Sequence, residues 1–431
     1  MGTLWTEAVT PAELTGFARA AVEDVERQKG TLATFLPNES VPDVVVRTVV
    51  DSDGTGELAQ YRSFDAETPI ASGGSGSRKT FELMPLGLKE RVGEYDQLRR
   101  QAGAMDLVKA GIENATLRVA QAVVDRLEVA RGQVLDTGKL TINENGVAQV
   151  IDYGRSSAND VTASQPWNRN GADPIEYLIG LCETYADRNQ GSQPGVILTS
   201  RRVVALLQRS STIRAIVATL SGAPSIVSLD ALTAAVASFG LPPIQVYDRK
   251  VRGQRVLDQD AVYLLPAGSG VTGRSVLGAT FYGQTLEASE PEYGLAPVDQ
   301  PGLVVGSWKT KDPIGVWVHS NAIAMPVLVN PVASMVARVI VEEKTYSVDF
   351  GGATGGNATL TFGGNTTANI AHNATAATVK TALVNLDDGY KAADWAVTGD
   401  PGEYVITTPG GPLTGDGSGL TGGSGFTLTE V

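Results

Sequence analysis

Between Gln97 and Arg131 the apolar or small positions recur at steps of three and four: Leu98, Ala102, Met105, Val108, Ile112, Ala115, Val119, Val123, Leu127 and Ala130. That is the spacing of one helix face. Charged residues, among them Arg99, Arg100, Arg118, Asp125, Glu128 and Arg131, fall on the other faces. No proline interrupts the run, and Gly132 with Gly138 offers a stop. The pattern predicts a helix about 50 Å long at ~1.5 Å per residue. Gly103 and Gly111 each cost roughly 1 kcal/mol of helix propensity, so packing must hold it. A long helix with one apolar stripe needs a flat partner, and a sheet is expected.

The other patterns fall into order around it. Pro11–Gln28 reads as an amphipathic helix, with Thr10 as N-cap and Pro11 at the first helical position. Gly30 to Pro37 is a connector that could lie along a neighbour. From Asp43 to Asp96 the text is strand-like: Val44–Val50, Leu58–Phe64, Lys79–Met84 and Leu88–Val92, with a Gly/Ser-rich tip at Ala71–Arg78. These runs predict a long hairpin with too little apolar surface to fold alone. Short strands are expected to turn at Asn143–Gly146. Residues 173 to 285 alternate helices (Asp173–Asn189, Arg201–Arg209, Ser211–Leu220, Leu229–Phe239) with strands (Gly195–Ser200, Ile244–Asp248, Ala261–Leu265, Gly278–Gly283). Four extended runs punctuated by Asp312-Pro313, Asn321 and Asn330-Pro331 span Leu303 to Val341, and these can form the sheet under the long helix.

After Val341 Gly, Thr, Ala and Asn dominate. Strand-like Thr345–Phe350, Thr359–Phe362, Trp395–Thr398, Tyr404–Thr407 and Phe426–Glu430 flank one helix, Ala374–Leu386, which marks a separate small α+β module. Residues 342–431 hold 10 acids and 3 bases, a net of −7, so the whole-chain charge of −13 leaves −6 for residues 1–341. A surface this acidic repels phosphates, so a dedicated DNA reader is not expected.

The candidate chemistry is thin. Cys182 is the single cysteine, so no internal disulfide or cysteine metal site is possible, and it lies near the apolar side of its helix. His319 and His372 are the only histidines, and neither has a partner at metal-ligand spacing. Gly268–Ser275 nearly spells a phosphate-binding loop, but Arg274 stands where lysine is needed and a strand follows rather than a helix. Ser77–Thr80 fails likewise at Arg78, and Gly74-Ser-Gly-Ser in the hairpin tip has no histidine near it. Glu342/Glu343 and Asp387/Asp388 read as solvated surface. The arginines of the long helix with Arg201, Arg202, Arg209 and Arg214 could contact phosphates, but nearby acids favour pairing within or between subunits. Trp395, Tyr390 and Tyr404 could stack a sugar, and core packing is the simpler account of each. No catalytic, cofactor-binding or metal residue is therefore assigned. With no signal peptide and no apolar stretch approaching ~20 residues, a soluble, non-secreted chain is expected.

In this order the residues resemble a family, the major capsid proteins of tailed bacteriophages with the Hong Kong 97 fold, in the lambda-type capsid protein E branch. Val150–Gly154, Trp167 with Ala172–Ile175, Pro194–Ser200, Val262–Pro266, Leu277–Gly283 and Ser307 to His319 carry the resemblance, which covers about residues 1–340. It implies an α+β fold: N-arm 1–42, extended loop 43–96, peripheral domain with spine helix 97–154, axial domain 155–285 and peripheral strands 286–341. The appended α+β domain 342–431 departs from the family plan. Phe362–Ile370 followed by Asn373–Lys380 looks like a domain found in structural proteins of actinobacterial phages, placed outside the shell. The resemblance further implies a non-enzymatic subunit of the virion, assembled in the host cytoplasm into hexamers and pentamers around double-stranded DNA. A separate scaffolding protein, a portal and a possible cement protein would be its partners, with only weak DNA contact and no membrane. A tail-tube or other ring-forming phage protein is the alternative, disfavoured because a tube subunit is mostly β.

Overall fold

The computed structural model describes all residues except 1–3, 5–8, 29, 51–76, 94–104, 170–171, 219–223, 270–274, 313, 387–391 and 393. The expected strands at Leu58–Phe64 and most of the Gly/Ser tip lie outside the described residues, as does the start of the long helix.

The first helix spans Pro11–Gln28. Its capping box is complete: Glu13 N donates to Thr10 Oγ1 at 3.2 Å and Thr10 N to the Glu13 carboxylate at 3.1 Å. Leu14 and Ala18 are buried, and Thr15 Oγ1 takes a hydrogen bond from Val305 N at 3.0 Å, which fixes the helix on a sheet.

That sheet has five strands. Asn38–Ser40 runs parallel to Gly278–Gly283, which pairs with the end of Ile314–Leu328; the front of this long strand lies between Val304–Lys311 and Pro85–Gly93. The long helix, Met105–Thr137, lies across it. Ile112, Ala115, Val119, Val123 and Leu127 pack there with Val92, Val316 and Val318, one apolar stripe against one apolar face. Ala130, Val134 and Leu135 then enter a second core. It holds Leu198, Ala261 and Tyr263 from the second sheet, and Phe281 and Met325 from the first. The second sheet orders Asp160–Thr162, Met335–Arg338, Ala261–Leu265, Val196–Thr199 and Ile244–Val246. Helix Pro174–Arg188, N-capped by Asp173, packs on it with Arg201–Leu207 and Leu229–Ser238. One helix thus spans the cores under both sheets.

Several expectations change. The helix passes Arg131 and Gly132 and stops at Gly138, whose φ of +69° is the left-handed value of a C-cap. Gly132 is a packing residue, since a Cβ there would sit 2.3 Å from the Val256 carbonyl oxygen. Alanine would gain about 1 kcal/mol of helix propensity. It would also overpack against rigid backbone, which costs about 1–3 kcal/mol. Gly132→Ala is therefore expected to lose on the order of 1 kcal/mol in urea unfolding, and a stabilised variant would contradict the contact.

Strand partnership also differs from the runs read along the chain. Asn321 sits mid-strand, so the four extended runs are three strands. Met335–Arg338, grouped above with the peripheral strands, joins the second sheet; Gly278–Gly283, grouped with residues 155–285, joins the first. Leu88–Val92 belongs to the first sheet rather than to a hairpin arm. In the connector, Leu32, Phe35 and Leu36 are buried in the chain's own core, so that stretch of residues 1–42 does not lie along a neighbour.

The last module has its own core of Tyr346, Phe350, Phe362, Val379, Trp395, Tyr404 and Ile406. A four-stranded sheet (Ala396–Asp400, Glu403–Thr408, Lys344–Asp349, Thr427–Glu430) forms one wall. Strand Gly355–Phe362 with its short partners, and helix Ala376–Val384 behind its Thr375 cap, form the rest. Polar contacts join module and body: Arg169 pairs with Glu343 and donates to the Pro409 carbonyl at 2.9 Å, and Asn168 donates to Val341 O at 3.1 Å.

Candidate assembly surfaces

The residues that tempted a chemical reading are dispersed and internally engaged. Cys182 is buried and burial pushes its thiol up to about 11, away from nucleophilic use at neutral pH. His319 lies in strand Ile314–Leu328 with its ring 5.9 Å from that of Trp308, and burial lowers its pKa. His372 sits in the last module. Ser275, last residue of the phosphate-loop look-alike, donates to Phe35 O at 2.6 Å, and a strand follows as expected; Arg274 lies outside the described residues. Glu342 and Glu343 pair with Arg202 and Arg169. Trp395 and Tyr404 are core residues, leaving neither ring open to a sugar; Tyr390, Asp387 and Asp388 lie outside the described residues. Among the described residues no three His, Cys, Asp or Glu side chains cluster as a metal site, and no helix is long and apolar enough to cross a membrane.

The arginines mostly find acids in their own chain. Arg118 pairs with Glu90, Arg126 with Glu144, Arg201 with Asp248 and Arg202 with Asp260. Arg99 and Arg100 lie outside the described residues.

Two structures bear on assembly. One is the base of the hairpin: Val45–Val50 pairs antiparallel with Ser77–Glu82, from Val45↔Glu82 to Val50↔Ser77. Val46, Phe81 and Leu83 root it in the core, Phe81 packs 5.3 Å from Tyr153, and Lys79 Nζ donates to Tyr153 O at 3.0 Å. Residues 51–76 connect the two strands.

The other is a buried ionic cluster that the sequence reading missed. Arg131 is wholly buried. Its Nη1 contacts Glu26 at 2.9 Å and Glu128 at 3.3 Å, its Nε donates to Thr280 Oγ1 at 2.9 Å, and its Nη2 donates to Asn38 Oδ1. Glu128 accepts from Leu32 N at 2.9 Å and from Tyr247 OH at 2.6 Å. Burial works against the Arg131 charge, but the carboxylates of Glu26 and Glu128 outweigh it and hold the pKa above its ordinary value. First helix, both strands of the first sheet's parallel pair and the long helix meet at this guanidinium, and the connector joins the cluster through Glu128. The signal was present: Arg131 stands between Leu127 and Leu135 on the apolar stripe, and only its charge placed it outside.

The described residues form a mixed α+β chain with a rooted strand pair and one long helix across two cores. The chain belongs to the phage major capsid protein E family, whose model matches residues 18–339. Curated protein sequences gave no match. Solved structures that resemble it include a phage-related protein of Bordetella bronchiseptica RB50, at 15% identity and TM-score 0.48, covering 75% of this chain and 95% of that one. A candidate capsid protein of a prophage in E. coli CFT073 matches at 14% identity and TM-score 0.47, covering 79% and 99%. A chain of Mycobacterium phage Patience is 36% identical over 21% of this chain and 38% of its own, with TM-score 0.18. Family membership places the protein in the virion as a capsid protein.

Proposed function

We propose that this capsid protein has the Hong Kong 97 fold and assembles into hexamers and pentamers of an icosahedral head around double-stranded DNA, without catalysing a reaction. The observation that carries the reading is the family match across residues 18–339. In this reading the first sheet with the long helix is the peripheral domain and the second sheet with its helices the axial domain. The hairpin rooted at Val45–Val50 and Ser77–Glu82 is the extended loop, completed by the body of an adjacent copy. Interfaces of about 1,600 Å² are expected several times per subunit. The acidic surface leaves packaged DNA loosely held, and the acidic module at 342–431 faces outward. A separate scaffolding protein, a portal and a cement protein would act beside it in the host cytoplasm.

Deleting residues 52–75 spares the paired strands and the core residues Phe81 and Leu83. The variant is expected to fold, with a cooperative urea transition, and to remain as soluble capsomers or monomers in negative-stain images. Closed shells at normal yield would overturn the loop's role. Tubes from the intact chain would instead favour a tail-tube subunit, a reading against which the long helix and the second sheet with its helices both stand.

A further inference from the structure

Leu286 and Val298 are each 84% exposed. They sit on one compact loop, because Gln284 and Gln300, two residues outside each, are joined by an amide hydrogen bond at 2.6 Å. The loop is held in shape. Tyr293 is buried against Gly306, Thr285 caps the short helix Leu286–Ser289, and Asn321 donates to Glu287 at 2.8 Å. Between Gln284 and Leu303 there are four acids (Glu287, Glu290, Glu292, Asp299) and no base. A rigid projection with two bare aliphatic side chains in an acidic rim is an unusual surface for a solitary molecule.

Its complement lies on the first sheet, on the face turned away from the long helix. Trp308, Trp317 and Arg91 stand in one cross-strand row, and His319 and Lys89 in the next. Lys89 Nζ lies 5.3 Å from the Trp317 ring centroid. The loop covers the Val304–Gly306 end of this face, and beyond it the tryptophans and the two cations are half-buried or exposed.

We propose that the Gln284–Gln300 loop of one copy docks on the Trp317–Arg91–Lys89 face of a second copy, with Leu286 and Val298 on the indoles and Glu290 and Glu292 against the cations. The proposal rests on the shell-forming reading and names one of its contacts. Charge complementarity selects the occupant, since loop and face are opposite in sign within a chain of net −13. The two surfaces differ, so the contact is head-to-tail, the kind that closes into rings when the rotation allows.

The test uses the full chain in three variants: Lys89→Glu with Arg91→Glu, Glu290→Lys with Glu292→Lys, and all four together. Circular dichroism checks the fold, and light scattering with sedimentation of closed shells follows assembly. Each pair alone is expected to slow assembly about tenfold at low salt, and the combined reversal to restore most of the rate. Leu286→Ser with Val298→Ser, two exposed positions, is expected to lower shell yield at any salt. Wild-type shells with indifferent variants, or a combined reversal no better than either pair, would overturn this contact alone. A loss of retained nucleic acid with unchanged assembly in the Lys89/Arg91 variant would overturn it in favour of a nucleic-acid surface. An intact chain that forms no shell would sink the shell-forming reading and this contact with it.

Discussion

Replacing Arg131 with methionine is expected to cost the fold about 3–5 kcal/mol, the usual penalty for stripping one partner from a buried ion pair. The guanidinium is wholly buried and stands between Glu26 and Glu128. Methionine fills similar volume but strips Glu26 of its cation and leaves Glu128 with Arg249 alone, 3.4 Å away, among the described residues. The loss would appear as a lower urea midpoint at unchanged slope. Arg131→Met combined with Glu26→Gln and Glu128→Gln keeps acceptors for Leu32 N and Tyr247 OH while removing the charges, and is expected to recover at least half the loss. The pH dependence has a definite sign. A base whose folded pKa is raised contributes stability that is complete below its unfolded value and disappears only as pH rises through the folded one. For Arg131 the shift is upward from the ordinary arginine value, which already lies far above neutral pH. Its contribution should therefore be constant between about pH 6 and 9. A penalty below about 1 kcal/mol would mean that the cluster does not tie the first helix to the long one.

What could be read along the chain was local. Thr10-Pro11 marked a helix start because an N-cap and a first-position proline stand side by side in the chain. The stripe Ile112–Leu127 marked the long helix, and Asn145-Gly146 a tight turn, with φ of +49° and +84°. The misreadings all needed a partner distant in sequence. Whether Gly132 or Gly138 ends the helix depends on Val256, which presses on the first and not the second. Gly278–Gly283 and Met335–Arg338 are both fully or mostly buried strands, so neither shows a face that would assign it to a sheet. Leu32 and Phe35 looked like a connector because the core that receives them is built from residues beyond 130 as much as from nearby ones. Arg131 was misplaced because its charge set it on an outward face, while the acid that draws it inward, Glu26, lies in the first helix.

Trp395→Ala is expected to cost about 3–5 kcal/mol, as for other buried tryptophans, yet to unfold only residues 344–431. Trp395 is 1% exposed and packs 4.8 Å, centroid to centroid, from Phe362. Every buried residue of its cluster lies between Tyr346 and Leu413, and none comes from the body. The junction at Asn168, Arg169 and Glu343 is polar, and among the described residues no hydrophobic cluster is shared across it. Such a module should melt as its own cooperative unit. Hydrogen exchange followed by mass spectrometry is expected to show lost protection across Lys344–Asp349 and Glu403–Thr408, with Met105–Thr137 unchanged. Among the described residues the indole N–H is buried with no hydrogen-bond partner. Trp395→Phe therefore removes an unsatisfied donor along with some volume, and should cost less than the alanine variant. If protection fell along Met105–Thr137 as well, the module would be part of the body's cooperative fold. Shells that still close from the alanine variant would show that assembly draws on residues 1–341 alone.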